Sequence, residues 1–229
     1  MIGIIGAMSV EIEKIQSEIE NPVKKIISGI TYISGVIHEK EVVVAVCGIG
    51  KVFSGICAQT MILTYQPYCI INIGVAGTLT TELTVTDIAI AGKMVQHDMD
   101  TSPIGDPVGL ISGINLVYLP CDEKIINTME QCLHTLNMNG ITGTIASGDQ
   151  FVVDPKQRNR IVEQFDAIAC EMEGAAIAQV CYVNQVPCGV LRSISDSADD
   201  SADMDYPTFV ALAAQRSFEL INEFIREYR

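Results

Sequence analysis

The feature that most constrains the fold is a short apolar run, residues 186–191, that stops at a group of polar side chains. A run of this length without charges predicts a buried strand. Arg192, Ser195 and Asp196 follow it. Because open α/β sheets bind ligands beyond the carboxyl ends of their strands, we expect a site here. Asp196 is a candidate general acid, since partial burial raises a carboxyl pKa. The competing interpretation is that Ser195 or Asp196 only caps a helix.

Apolar strands alternate with helices along the rest of the chain. Strands are predicted at residues 2–5, 25–28, 31–37, 42–47, 69–73, 86–91, 141–146, 167–170 and 186–191. The first helix is predicted to be capped by Ser9 and stopped by Asn21-Pro22, and others are predicted at residues 52–65, 122–136, 155–165, 175–182 and 207–227. Three short strands near the start form a meander. The pattern predicts one domain over residues 1–229, a three-layer α/β/α sandwich around a mixed sheet.

The charge balance narrows the classes of partner. The net charge of −14 predicts a surface that repels nucleic-acid backbones and anionic membranes. No apolar run reaches the roughly 18 residues that a membrane span needs. Residues 1–6 are expected to form a strand rather than a signal peptide. A polymer or membrane partner is therefore not expected, whereas a small neutral substrate is compatible.

The eight cysteines contain no C-x-x-C pair, and most of them lie inside apolar runs. They are predicted to be small reduced core residues of a cytoplasmic protein. Neither the cysteines nor the three histidines have the close spacing of metal ligands, so no metal is expected.

Small or polar residues follow five of the predicted strands. They are Gly6-Ala7-Met8, Gly48-Ile49-Gly50, Gly74-Val75-Ala76-Gly77, Ser147-Gly148-Asp149 and Ser195-Asp196. Glycines at strand ends let backbone groups approach a ligand closely, which indicates one shared site. The alternative is that each glycine only ends a strand. Two of these turns, Gly48-Ile49-Gly50-Lys51 and Gly74-Val75-Ala76-Gly77, could have been phosphate loops. Neither has the spacing of dinucleotide or nucleoside-triphosphate sites, so no cofactor is expected.

Three further side chains are candidates through their chemistry. Glu11 lies one turn into the first predicted helix, where it could orient or deprotonate a water, although favourable placement near a helix N-terminus would also explain it. Glu173 could accept hydrogen bonds from two vicinal hydroxyls, with helix capping as the alternative. Phe151 could stack on a flat ring, but an isolated phenylalanine more often belongs to the core.

The motifs together resemble a known family. They are Gly6-Ala7-Met8 with Glu11, Cys47-Gly48-Ile49-Gly50-Lys51-Val52, Asn72-x-Gly74-x-Ala76-Gly77, Ser147-Gly148-Asp149-x-Phe151, Glu171-Met172-Glu173 and Arg192-x-Ile194-Ser195-Asp196-x-Ala198-Asp199. In this order, from residue 2 to the last helix, the sequence resembles the methylthioadenosine/S-adenosylhomocysteine nucleosidases. The resemblance implies a nucleoside-phosphorylase-like α/β/α fold and hydrolysis of an adenine N-glycosidic bond.

The resemblance also implies catalytic roles. Asp196 is expected to protonate the imidazole-ring nitrogen of adenine, Glu11 to activate the attacking water, and Arg192 to help to hold that site. Protonation of the leaving base and stabilisation of an oxocarbenium-like sugar are what this bond cleavage requires. Acid and base must titrate apart, so we expect Asp196 to be neutral and Glu11 ionised.

Substrate-binding roles follow from the same resemblance. Glu173 is expected to bind the ribose diol beside Met172, Phe151 to stack on adenine, and the backbone of Val152 to hydrogen-bond the base. The other expected substrate contacts are Met8, Ile49, Val75 and Ser195.

Two positions depart from the family pattern. Val75 stands where the family commonly carries a small hydroxyl residue, and Thr78 stands where a second glycine is common. Val75 cannot hydrogen-bond a substrate or a water, so water placement or substrate preference is open. Ser9-Val10 replaces an acidic pair but leaves Glu11 in place.

Three alternatives to this activity stay open at the level of sequence. A purine nucleoside phosphorylase would need cations for phosphate, yet no arginine precedes Arg158 and only Lys51 lies near the glycine turns. An aminodeoxyfutalosine hydrolase would use the same residues. A nucleoside-binding protein without activity would need no acid and base. The resemblance further implies a homodimer that shares residues between sites, and the long polar loop at residues 97–113 is the candidate for that contribution.

Overall fold

The computed structural model describes residues 1–196 and 206–228, with the backbone alone for Asp196, Tyr206 and Pro207. The strands are β1 (Ile2–Gly6), β2 (Glu20–Ile27), β3 (Ile30–Ile37), β4 (Lys40–Val46), β5 (Cys69–Thr78), β6 (Ile88–Gln96), β7 (Tyr118–Pro120), β8 (Gly140–Ser147), β9 (Ala167–Glu171) and β10 (Cys188–Asp196). The helices are α1 (Ser9–Ser17), α2 (Lys51–Tyr65), α3 (Glu123–Thr135), α4 (Pro155–Phe165), α5 (Gly174–Asn184) and α6 (Tyr206–Glu227), with a short 3-10 helix at Ser102–Ile104.

The described strands form one ten-stranded mixed sheet in the order β10-β6-β8-β9-β5-β1-β4-β3-β2, with β7 on β6. The predicted meander is confirmed as β2, β3 and β4, which pair antiparallel. β10 pairs with both β5 and β6, so that β5, β9, β8, β6 and β10 close into a ring. Strands β4, β1, β5 and β10 run parallel, and their carboxyl ends therefore meet at one edge.

Helices cover both faces of the sheet because successive strand residues point to opposite sides. Val43 and Ala45 of β4 join a core with α2 and α5, whereas Val42 and Val44 join a second core with α1, α3 and α6. A third cluster seats α4 through Ile161 and Phe165. The predicted three-layer sandwich is confirmed. The eight cysteines are free and buried, as expected of core residues.

The first helix is shorter than predicted. It ends at Ser17, and Asn21-Pro22 belongs to β2 instead of stopping the helix. β2 is an edge strand with a register shift between Glu20 and Val23, and edges and bulges are where a strand tolerates proline. Met8, not Ser9, occupies the N-cap position.

β5 and β10 are longer than their apolar runs. β5 continues to Thr78 and β10 to Asp196, because their parallel pairing extends past Ile194 and Ala76. Arg192 and Ser195 therefore lie inside a strand, and the described helix that follows begins only at Tyr206. The interpretation of Ser195 as a helix cap is wrong, because Asp196 continues the strand. The residues that Asp196 would cap lie outside the described residues. The sequence also gave no sign of β7, which has only three residues.

Gly35 is a position where the fold requires glycine. A Cβ there would lie 2.5 Å from the Glu20 carbonyl oxygen and 2.4 Å from Ile19 Cγ2. We predict that Gly35→Ala lowers the free energy of unfolding by about 1–3 kcal/mol, measured by urea denaturation. Gly55→Ala is the control, since the nearest atom to its Cβ is 3.9 Å away and alanine favours helix α2. Equal midpoints for the two variants would contradict the prediction.

Candidate active site

One pocket opens where the carboxyl ends of the parallel strands meet. It is lined by these predicted site residues: Met8, Glu11, Ile49, Val75, Phe151, Val152, Met172, Glu173 and Ser195. Arg192 lies behind the pocket, 1% exposed. The Asp196 side chain lies outside the described residues, but its backbone pairs with Gly77, which lines the pocket. The sequence motifs thus mark one place in the fold.

Glu11 is held in the pocket by backbone donors. Its Oε2 accepts hydrogen bonds from the N–H groups of Ala7 at 2.8 Å and Met8 at 2.9 Å, and its Oε1 accepts one from Val75 at 3.1 Å. Burial raises the pKa of Glu11, while these hydrogen bonds and the charge of Arg192 act against the rise. The bonds from Ala7 and Met8, the two residues before α1, confirm its placement at a helix N-terminus, and the bond from Val75 fixes it across the pocket.

Gly74 provides the space for this carboxylate. A Cβ at Gly74 would lie 2.8 Å from Glu11 Oε1 and 3.5 Å from Arg192 Cζ. The glycine was expected to admit a ligand, and the group that it admits in the structure is the Glu11 side chain.

Glu173 stands at the N-cap position of α5 but does not cap that helix with its side chain. Its Oε1 accepts a 2.8 Å hydrogen bond from the N–H of Gly50, in the loop that precedes α2. Burial and the charge of Glu171 raise the pKa of Glu173 to about 7, and Arg192 acts against them. The capping interpretation is therefore wrong, and this buried carboxylate lines the pocket.

Glu171 caps α5 in place of Glu173. Its Oε2 accepts from the N–H groups of Glu173 at 2.9 Å and Gly174 at 2.8 Å, and its Oε1 accepts from the Ser147 hydroxyl. Ser147 Oγ in turn accepts from the Ala175 N–H at 2.7 Å. Glu171 belongs to the sequence motif Glu171-Met172-Glu173, but no role was predicted for it. Its position at the end of β9, two residues before Glu173, was the available signal.

Arg192 forms a buried ion pair with Glu171. Its Nη2 also donates to Asn72 Oδ1 at 2.5 Å, and its Nη1 donates to the Leu191 carbonyl at 2.9 Å. Burial alone would lower the pKa of Arg192, but the charges of Glu171, Glu173 and Glu11 raise it. The guanidinium therefore balances the pocket carboxylates from behind.

Lys51 is committed to a neighbouring loop. Its Nζ donates to Asp98 Oδ1 at 2.6 Å and to Gln96 Oε1 at 3.2 Å. Although burial acts the other way, the bonds from Lys51 and from the Asp149 N–H hold the pKa of Asp98 below its usual value. The pocket also contains a cation that sequence reasoning missed, since Arg158 of α4 lines it.

Thr78 uses its hydroxyl inside a turn. Its Oγ1 donates to the Thr80 carbonyl at 2.9 Å and accepts from the Thr80 N–H at 3.2 Å. The side chain is 1% exposed. This departure from the family pattern therefore serves the local backbone as well as the pocket wall.

Within residues 1–196 and 206–228, no cluster of three or more His, Cys, Asp and Glu side chains could hold a metal ion. None of the helices in those ranges is long and apolar enough to cross a membrane.

The fold and the site define the class of protein. The family model described as "Phosphorylase superfamily" matches residues 1–226, and the chain belongs to that superfamily. Within it, the chain belongs to the family of the 5'-methylthioadenosine/S-adenosylhomocysteine nucleosidases, which confirms the resemblance found in the sequence. The predicted nucleoside-phosphorylase-like fold is confirmed as well.

Individual relatives cover nearly the whole chain. The nucleosidase of that name from Shewanella halifaxensis is 36% identical over 99% of both chains. The aminodeoxyfutalosine nucleosidase of Helicobacter pylori is 37% identical over 99% of this chain and 98% of the relative. The Neisseria meningitidis 5'-methylthioadenosine/S-adenosylhomocysteine nucleosidase, solved in complex with methylthio-immucillin-A, is 31% identical, covers 98% of both chains and has a TM-score of 0.94.

Proposed function

We propose that the protein hydrolyses the N-glycosidic bond between adenine and the ribose of 5'-methylthioadenosine and S-adenosylhomocysteine. The observation that carries the proposal is that Glu11 and Glu173 line one pocket. The pocket lies beside the end of β10, where the backbone of Asp196 pairs with Gly77. The names of the relatives support the same substrates. A protein that only binds nucleosides could use Glu173 for the ribose, but it would not need a buried carboxylate with a raised pKa at Glu11.

The proposed reaction uses one acid and one base. Asp196 donates a proton to the imidazole-ring nitrogen of adenine while the bond from the sugar to the base breaks. A water attacks the sugar carbon and loses its proton to Glu11. Backbone N–H groups hold the Glu11 carboxylate, and burial raises its pKa, which improves it as a base. The positive charge of Arg192 offsets part of the negative charge of Glu11 and Glu173.

The remaining pocket residues bind the substrate. Glu173 accepts hydrogen bonds from the ribose diol, with Met172 beside the sugar. Phe151, which is 62% exposed, offers its ring to adenine, and the Val152 backbone pairs with the base. The other proposed contacts of the substrate are Met8, Ile49, Val75 and Ser195.

The charges of the pocket favour water over phosphate as the nucleophile. Glu11, Glu171 and Glu173 all line the pocket and would repel a phosphate dianion. One cation, Arg158, lines the pocket beside these three carboxylates, whereas Lys51 is held by Asp98 and Arg192 by Glu171. A phosphorylase would need such cations to be available to its second substrate.

Aminodeoxyfutalosine is a second candidate substrate. Relatives named aminodeoxyfutalosine nucleosidase, from Helicobacter pylori and Campylobacter jejuni, are 37% and 36% identical to the chain, as similar as the relatives of the other name. A panel of methylthioadenosine, S-adenosylhomocysteine, 5'-deoxyadenosine, aminodeoxyfutalosine and inosine separates the candidates.

We predict that the enzyme releases adenine and a free sugar at a rate that does not depend on phosphate. Chromatography of the products with and without phosphate tests this.

Asp196→Asn should keep substrate affinity and lose about 10²–10⁴-fold in kcat, because it cannot supply the proton. Asp166→Asn, at an exposed residue, is the matched control. A sugar phosphate as the main product, or near-normal turnover by Asp196→Asn, would contradict the proposal.

A second prediction concerns Val75. Its N–H holds Glu11, but its side chain offers the pocket no hydrogen bond. Val75→Ser should raise kcat/KM on methylthioadenosine, because an added hydrogen bond to a water or a sugar oxygen contributes about 0.5–1.5 kcal/mol. If valine instead fits another substituent, the ratios of kcat/KM across the panel should change. Unchanged rates and ratios would leave Val75 as a neutral packing variant.

We further propose that the protein is a cytoplasmic homodimer. A stripe on α2 is apolar and exposed at Val52, Ile56 and Leu63, which are 71%, 42% and 71% exposed. Ile104, inside the loop of residues 97–113, is 81% exposed. Apolar side chains gathered in this way are typical of a surface that meets a partner. The loop is the proposed contribution to the site of the second subunit.

Sedimentation tests the dimer. Leu63→Lys should shift the protein towards the monomer and lower its activity, because the lysine would be desolvated in the interface. Val23→Lys is the control, at a valine that is 64% exposed on the edge strand β2. A wild-type protein that sediments as a fully active monomer would contradict this proposal.

A further inference from the structure

We propose that Glu171 is a positioning residue for the hydrolysis, which orients Arg192 and the start of α5 and thereby the Glu173 side chain. The inference rests on the proposed function, because it concerns the same pocket.

The acceptor capacity of Glu171 is fully used by the protein. A carboxylate offers roughly four lone-pair sites. Glu171 accepts from the N–H groups of Glu173 and Gly174, from the Ser147 hydroxyl and from Arg192 Nη2, with both of its oxygens bonded to Gly174. Although Glu171 lies in the pocket wall, it has no acceptor position left for a ligand. It must therefore act through its neighbours.

The first of these neighbours is the backbone of Glu173. The N–H of Glu173 is fixed by Glu171 at 2.9 Å, and a carboxylate is also stabilised by the positive end of the α5 dipole. The Glu173 side chain leaves this anchored backbone towards Gly50. A change at Glu171 therefore alters the direction from which Glu173 reaches the pocket.

The second neighbour is Arg192, and through it the opposite wall of the pocket. The side chains of the Arg192–Glu171 pair are each 2% exposed. Arg192 also donates a hydrogen bond to Asn72 Oδ1, and Asn72 Nδ2 donates one to the Ile5 carbonyl at 2.9 Å. Ile5 lies just before the turn whose N–H groups hold Glu11. One chain of buried contacts thus joins β9, β10, β5 and β1.

The charges around Glu173 explain why Glu171 controls its proton. Among the described residues, the titratable groups that act on it are Glu171 of β9, Arg192 of β10, Glu11 of α1 and the Cys47 thiol after β4. Burial, Glu171 and Glu11 raise the pKa of Glu173 to about 7, and Arg192 lowers it. Below this pH the group carries a proton and accepts fewer hydrogen bonds from a diol. Loss of the Glu171 charge lowers the pKa of Glu173, so that its ionised form persists to lower pH.

The test separates the effect of the Glu171 charge from the effect of the length of its side chain. Glu171→Gln removes the charge and nearly keeps the length, whereas Glu171→Asp keeps the charge and shortens the side chain. Both should lose kcat/KM on methylthioadenosine, by about 10²-fold for a displaced site. Only Glu171→Gln should move the acidic limb of the pH profile of kcat/KM, to lower pH by about one unit. Glu163→Gln, at an exposed residue of α4, is the matched control and should change neither quantity.

A second readout isolates the diol. The affinity of wild type for methylthioadenosine should fall below about pH 7, the value to which the pKa of Glu173 is raised, and the affinity of its 3'-deoxy analogue should fall less. Glu171→Gln should move this difference to lower pH. A pH-independent difference in wild type, or an unmoved one in Glu171→Gln, would overturn the role of the charge.

If Glu171→Gln does not fold, Ser147→Ala replaces it, since it removes one donor to Glu171 and leaves the charge. It should lower kcat/KM without moving the acidic limb, and an unchanged kcat/KM would overturn the positioning role. Failure of the inference is distinct from failure of the proposed function. In the first case wild type releases adenine and the Glu171 variants behave like wild type, whereas in the second case wild type itself releases no adenine.

Discussion

The buried ion pair of Arg192 and Glu171 is the interaction on which the rest of the site depends. Both side chains are withdrawn from water, which costs several kcal/mol per charge unless each is paired and hydrogen-bonded. Here each partner has further bonds, to Asn72 on one side and to Ser147 and the start of α5 on the other. A hydrophobic pair of equal volume could fill this space, so the charges have a use beyond packing.

That use is to keep carboxylates close together in an apolar pocket. Glu11, Glu171 and Glu173 repel one another, and burial raises the pKa of Glu11 and of Glu173. One guanidinium behind the pocket offsets part of the repulsion without taking space from a substrate. The result is a set of acids with unequal environments: Glu11 has three backbone donors, whereas Glu173 has one from Gly50 and a pKa near 7. Such inequality suits the two roles proposed for them, since Glu11 is the proposed base and Glu173 the proposed ligand of the ribose diol.

The sequence predicted the strands and layers because their signals are local. Apolar runs of period two and helices with turn residues between them define the sandwich, and residues 155–165 were predicted with the bounds that α4 has. Pro22 misled the prediction because the tolerance of an edge strand for proline depends on its neighbours. The extension of β5 and β10 was missed for the same reason, since it depends on pairing between Ile194 and Ala76. Glu171 was missed because two of its partners, Ser147 and Arg192, are 24 and 21 residues away in sequence.

The position of Val75 shows how catalysis and specificity are separated in this pocket. Glu11 is held by the N–H of residue 75, which every amino acid except proline provides. The neighbouring Gly74 is different, because any side chain would displace the Glu11 carboxylate, 2.8 Å from a Cβ. The backbone of this strand end therefore fixes Glu11, the proposed base, while the side chain of Val75 faces the pocket. Because the bond to Glu11 comes from the backbone, valine in place of a small hydroxyl residue leaves the hold on Glu11 intact.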